Sequence, residues 1–165
     1  MSILIAAALL SACMEGFPPP RSGGLRSMAR VAVTPFSDRE GLGRLYADET
    51  LRGLWALGFD PVSRESLDAS LRRLGFTEGE TMGPQDLASL REATRAEAVL
   101  FASVDCGRRG AGGRVSFSLQ STADGSTLLS SSFVPSRCGS AGDVPEVAAR
   151  VLAGLRRLSP APEAP

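Results

Sequence analysis

Ala98-Val99-Leu100-Phe101-Ala102 is an unbroken apolar run, and it limits the fold more than any other stretch of the chain. It reads as a strand buried on both faces, so helices must cover both sides of the sheet that holds it. The preceding sequence supplies them. Arg30-Val31-Ala32-Val33-Thr34 reads as a strand stopped by Pro35-Phe36. A helix is predicted from about Gly41 to Leu57, with Ala47, Thr50, Leu51, Leu54 and Leu57 on one face and Gly58 as its cap. Phe59-Asp60-Pro61-Val62 is a short second strand, pushed toward an edge by its proline. Arg64 to Leu74 forms a second helix with Leu67, Leu71 and Leu74 inward. Pro84 opens a third, running to about Arg95 with Leu87, Leu90 and Ala93 on its core face.

Two alternating strands follow the apolar run. In the first, Val115, Phe117 and Leu119 face the core while Ser116, Ser118 and Gln120 face water. The turn holds Ala123-Asp124-Gly125. With Gly125 left-handed in a three-residue turn, Leu119 meets Leu129 and Val115 meets Phe133, the pairing that keeps apolar residues opposite one another. A last helix starts at the capping-box-like Asp143-x-x-Glu146 and carries the stripe Val144, Val147, Ala148, Val151, Leu152 and Leu155. Right-handed crossovers make the first three strands parallel and add the last two antiparallel at one side. The fold class is therefore α/β: a mixed sheet of about five strands with helices packed on its faces.

The N-terminus is of another kind. Leu10-Ser11-Ala12-Cys13 closes an apolar run that begins at Ile3. Such a run falls far short of the roughly 20 residues a bilayer span needs, and a small-residue site at its end is how an export signal finishes. The cysteine at the junction resembles the lipobox of bacterial lipoproteins, in which the thiol is acylated and becomes the first residue. That resemblance implies residues 1–12 as signal peptide and Cys13 as the lipidation site. A triacylated cysteine, at about 0.8 kcal/mol per buried methylene, anchors a protein permanently. Residues 13–28 then form a flexible tether rich in Pro, Gly and Ser, with a reach of roughly 45 Å at about 3.1 Å per residue. Residues 29–158 form one α/β domain, and residues 159–165 a disordered tail. Met14 follows the cysteine in place of the aspartate associated with inner-membrane retention, which points to the periplasmic face of the outer membrane.

Composition removes several functions. Acidic and basic residues balance at 18 each, every basic one is arginine, and no basic tract stands out, so nucleic acid is not an expected partner. Histidine is absent, and with it the commonest metal ligand and the commonest general base. Gly41-Leu42-Gly43 lacks the third glycine of a dinucleotide fingerprint, Tyr46 standing there instead. No cofactor or metal is expected.

Arg30-Val31-Ala32-Val33-Thr34-Pro35-Phe36, followed by a long helix and Gly58-Phe59-Asp60-Pro61-Val62-Ser63-Arg64, resembles a family opening: a hydrophobic strand ending in Pro-Phe, then a "Gly-Phe-x-Val-x-x-Arg" second strand. Thr94 to Val104 resembles the same family's "Gly-Ala-Asp-Ala-Val-Leu-x-Gly-x-Val" third strand, with Glu97 in place of Asp and Ala102 in place of Gly. The family is the small α/β domain shared by the curli-secretion lipoprotein CsgG, the penicillin-binding-protein activator LpoB and the N-terminal domain of TolB. The resemblance covers about residues 29–158. It implies an envelope protein that works by contact rather than catalysis, and it carries over no binding residue.

Few residues invite chemistry. Cys106 and Cys138 fall at the same end of the predicted sheet, and an exported chain meets an oxidising compartment, so a disulfide is the expected state, with free thiols as the alternative. Arg108, Arg109 and Arg114 lie in a Gly-rich connection that reads as a flexible hairpin or, more sharply, as a cationic tip for an acidic partner. Trp55 lies beside the core stripe of the first helix, where burial is the default; exposure would make it the leading interface anchor. The expected function is a non-catalytic, lipid-anchored interaction module held to the bilayer through Cys13 and contacting another envelope protein. The alternative is a ligand-binding or enzymatic domain at the carboxyl ends of the parallel strands. A third reading is self-association through the edge strand Leu128–Val134.

Overall fold

The computed structural model describes residues 29–77, 81–107 and 113–158; the signal, tether and tail assigned above, with Cys13, lie outside the described residues. The strands are β1 (Arg30–Val33), β2 (Ser37–Asp38), β3 (Asp60–Pro61), β4 (Ala98–Asp105), β5 (Arg114–Ser121) and β6 (Thr127–Phe133). The helices are α1 (Gly43–Leu54), α2 (Arg64–Leu74), α3 (Pro84–Thr94) and α4 (Val144–Leu155). The sheet runs β3-β1-β4-β5-β6, with β2 also on β4. β1 is parallel to both β3 and β4, while β5 and β6 are added antiparallel.

Period-two alternation divides the sheet residues between two cores. On one face Val31, Val33, Leu100, Phe117 and Leu119 pack under α1 and α4. On the other, Ala32, Val62 and Val99 pack under α2 and α3 with Leu67, Leu71 and Leu90. The double burial expected of the apolar run holds for Ala98, Val99 and Leu100, and then stops: Phe101 and Ala102 are half-buried. The β5–β6 register is the one that pairs Leu119 with Leu129 and Val115 with Phe133, and Gly125 takes φ 71° in the turn.

Four details depart from the sequence reading. β2 had no local signal. It resumes β1's line along β4 after Pro35, which has no N–H to give the ladder, and pairs Ser37 with Ser103. Ala93 is exposed, and Thr94 is buried instead because its hydroxyl donates to the Leu90 carbonyl at 2.7 Å. The last helix is not capped through Asp143 and Glu146. Ser140 and Asp143 form the capping box one turn earlier, and Glu146 accepts from the Ser136 N–H at 3.1 Å. Those contacts with Ser136, first its hydroxyl and then its amide, hold the Glu146 carboxyl below its ordinary range. Lastly, Trp55 is not buried: it is 57% exposed. Positions four apart on a helix drift by about 40° around the axis, so Ala47 is buried, Leu51 half-buried and Trp55 exposed.

Tyr46 takes the interior place on α1. It is fully buried, stacks on Phe36 with ring centroids 6.0 Å apart, and its hydroxyl has no hydrogen-bond partner of good geometry. Burial raises its pKa above the ordinary value of 10.0, opposed in part by the nearby Gly139 peptide and reinforced by Asp38, Asp143 and Glu40. A phenol whose folded pKa is raised contributes stability that is fully present below about pH 10 and lost as pH climbs toward the folded pKa. As Tyr46 is the chain's one tyrosine, its absorbance at 295 nm is expected to titrate above pH 10, together with alkaline unfolding. Tyr46→Phe is expected to abolish the signal and weaken the alkaline loss.

Candidate functional site

The turn from β1 into α1 is built by one carboxylate. Leu42 occupies the N-cap position and offers no side-chain acceptor, so Asp38 at the end of β2 accepts from the Leu42 N–H at 2.7 Å and from the Gly43 N–H at 2.9 Å. Three acidic side chains near this helix have structural roles. Asp38 caps, Asp48 accepts from Arg64 Nε at 2.7 Å, and Glu49 pairs with Arg52 at 2.8 Å. Arg64 also donates to the Val33 carbonyl at 3.0 Å, tying the start of α2 to both β1 and α1.

At this end of the sheet Cys106 and Cys138 are joined in a disulfide, their Cα atoms 5.6 Å apart. It links the end of β4 to the connection between β6 and α4. Arg114 lies on the same side, exposed, and opposite Asp105 in the β4–β5 ladder. Arg108 and Arg109 lie outside the described residues, so the cationic tip is represented by Arg114 alone.

Trp55 is at the other end of the sheet. α1 runs from Asp38, beside the end of β4, back to β3, which pairs with the start of β1. The two predicted interaction elements, Trp55 and the Arg114 hairpin, therefore do not form one surface. Leu45, in the first turn of α1, is 47% exposed. Among the described residues no group of three or more His, Cys, Asp or Glu could hold a metal ion, and no helix is long and apolar enough to cross a membrane.

Sequence reasoning missed a groove. α2 and α3 cover only part of their face of the sheet, and beyond them lies a cavity of about 350 Å³. It begins at Thr34 and Pro35, where β1 ends, and crosses β4 and β5 toward Ser130 of β6. Phe76 and Met82, from the connection between α2 and α3, form its wall. The alternation in β5 located Ser116, Ser118 and Gln120 opposite the core residues, but nothing local could show that a wall rises beside them.

This arrangement, three parallel strands continued by an antiparallel pair and sandwiched by helices, is an LpoB-like fold. The structure is similar to the C-terminal domain of LpoB from Salmonella enterica, with TM-score 0.52 and 21% identity over 67% of this chain and 84% of that one. It is similar to PelC of Paraburkholderia phytofirmans, solved as a dodecamer, with TM-score 0.53 and 16% identity over 84% of this chain and 93% of that one. It is also similar to lipoprotein GNA1162 of Neisseria meningitidis, with TM-score 0.52 and 17% identity over 78% of this chain and 99% of that one. No protein-family model and no curated protein matches the sequence.

Proposed function

We propose that the chain is a non-catalytic lipoprotein of the bacterial cell envelope, an accessory or activator that presents its α/β domain to another envelope protein. The carrying observation is the lipobox-like Leu10-Ser11-Ala12-Cys13 ahead of an LpoB-like domain. The sequence resemblance to the CsgG, LpoB and TolB domains supports the same reading, as does a structural neighbour described as a lipoprotein. Cys13 carries the lipid, residues 13–28 set the reach, and the domain acts at the periplasmic face of the outer membrane. Trp55 is the leading contact residue: a large indole exposed on a helix is the kind of group that anchors protein interfaces. Arg114 offers a second, cationic contact at the opposite end, and Arg108 and Arg109, close to it in sequence, add like charge to the same connection.

The anchor is tested by membrane fractionation with mass spectrometry of the N-terminal peptide. The wild-type chain is expected in the membrane fraction with an acylated N-terminal Cys13, and Cys13→Ser in the soluble fraction. A wild-type chain that stays soluble, or a Cys13→Ser chain that stays on the membrane, contradicts the anchor. Self-association is the second reading. β6 ends the sheet, and one neighbour of the fold was solved as a dodecamer. In that case crosslinking at β6 yields multiples of this chain rather than an adduct with a different protein.

A further inference from the structure

The groove on the α2/α3 side of the sheet has a lining unlike the rest of the surface. Its floor is made of two cross-strand rows, Phe101–Ser118–Ser130 and Ser103–Ser116, with Gln120 at one end. None of the described residues lining it is charged, in a chain that is 22% charged. Elsewhere hydroxyls are put to structural use: Thr50, Thr94 and Thr122 each donate to a backbone carbonyl at 2.6–2.8 Å. By contrast, no floor serine, nor the Gln120 amide, has a side-chain hydrogen bond within the described residues. These polar groups are therefore available to a ligand.

We propose that this groove binds a neutral saccharide, a site independent of the anchoring and contact roles argued above. Each free hydroxyl, and the amide of Gln120, can both donate and accept, as can each hydroxyl of a sugar. Half-buried Phe101 and Phe76 offer ring surface to the C–H faces of the sugar. An ionic ligand would find no counter-charge among the described lining residues and would lose hydration. A purely apolar one would desolvate the serines without replacing their hydrogen bonds. The volume of about 350 Å³ falls at the small end of the range for ligand sites, which is about 300–1,000 Å³. The place also fits: the groove opens beyond Thr34, at the carboxyl end of β1, where open α/β sheets bind ligands.

The test is an amide-resonance titration of the full chain with two neutral probes, a β-linked glucose tetramer and an N-acetylglucosamine tetramer. At least one probe is expected to bind with a Kd of about 1 mM or tighter, shifting Phe101, Ser103, Ser116 and Ser118 first. The double variant Ser116→Val, Ser118→Val removes two hydroxyls and introduces β-branched residues suited to a strand. It is expected to keep the wild-type melting temperature and to bind about tenfold more weakly or worse, since two hydrogen bonds to the ligand are lost. Three results overturn the proposal. They are no response to either tetramer up to about 10 mM, a response unchanged in the double variant, or groove shifts produced by an uncharged Gly-Ser peptide and by neither sugar.

Discussion

Gly43→Ala is expected to destabilise the domain by about 3 kcal/mol, although alanine in place of glycine within a helix ordinarily stabilises by about 1 kcal/mol. The sign is decided by what surrounds the new methyl group. It would collide with the Phe36 carbonyl oxygen, a backbone atom that cannot rotate away, and lie 3.1 Å from Asp38 Oδ1. The Phe36 N–H donates to the Gly43 carbonyl at 3.1 Å, so the two segments are clamped from both directions. Making room means opening that bond and pulling the α1 amides from the Asp38 carboxylate, which are charge-assisted bonds worth about 1.5–3 kcal/mol each. Gly53→Ala is the control. Its methyl group meets only the end of the Leu152 side chain, which can change rotamer, and the cost is expected to be much smaller. Urea denaturation of the three proteins measures both effects.

Removing the disulfide is the second large change. Cys106 and Cys138 are 32 residues apart in sequence, and closing a loop of that length restricts the unfolded chain by about 3–4 kcal/mol. Cys106→Ala, Cys138→Ala is therefore expected to melt about 12 °C below wild type for a domain of this size. Alanine avoids placing an unbonded hydroxyl at Cys138, which is buried in the larger core. Reductant should lower the wild-type midpoint by a similar amount and leave the double variant unmoved. A wild-type midpoint indifferent to reductant would show that the thiols are unpaired in solution.

The legible part of the fold is the part with local periodicity. Leu67 and Leu71 on α2, the Val144–Leu155 stripe on α4 and the Leu119–Leu129 register all follow from spacing, because burial at 3.6 or 2 residues leaves a trace in a short window. β2 left none. Ser37 and Asp38 are polar, and only the distant Ser103–Val104 segment makes them a strand. Trp55 was misplaced since drift around a helix accumulates toward its end, where a stripe drawn from the middle no longer applies. The groove was half legible. Alternation assigned Ser116, Ser118 and Gln120 to the far face, but the free half of that face follows from where α2 and α3 stop, and Phe76 and Met82 reach it only through tertiary packing. Cys13 is a different case. The role proposed for it rests on motif chemistry, and no amount of folding information adds to it.

The central claim, that lipid delivers this domain to contact with another envelope protein, is tested most directly by photo-crosslinking in cells. A photoreactive residue replaces Trp55, in the wild-type background and with Cys13→Ser. A discrete adduct between this chain and a different envelope protein is expected, formed with Cys13 present and lost with Cys13→Ser. No adduct from position 55, or an equal yield in both backgrounds, would contradict the claim.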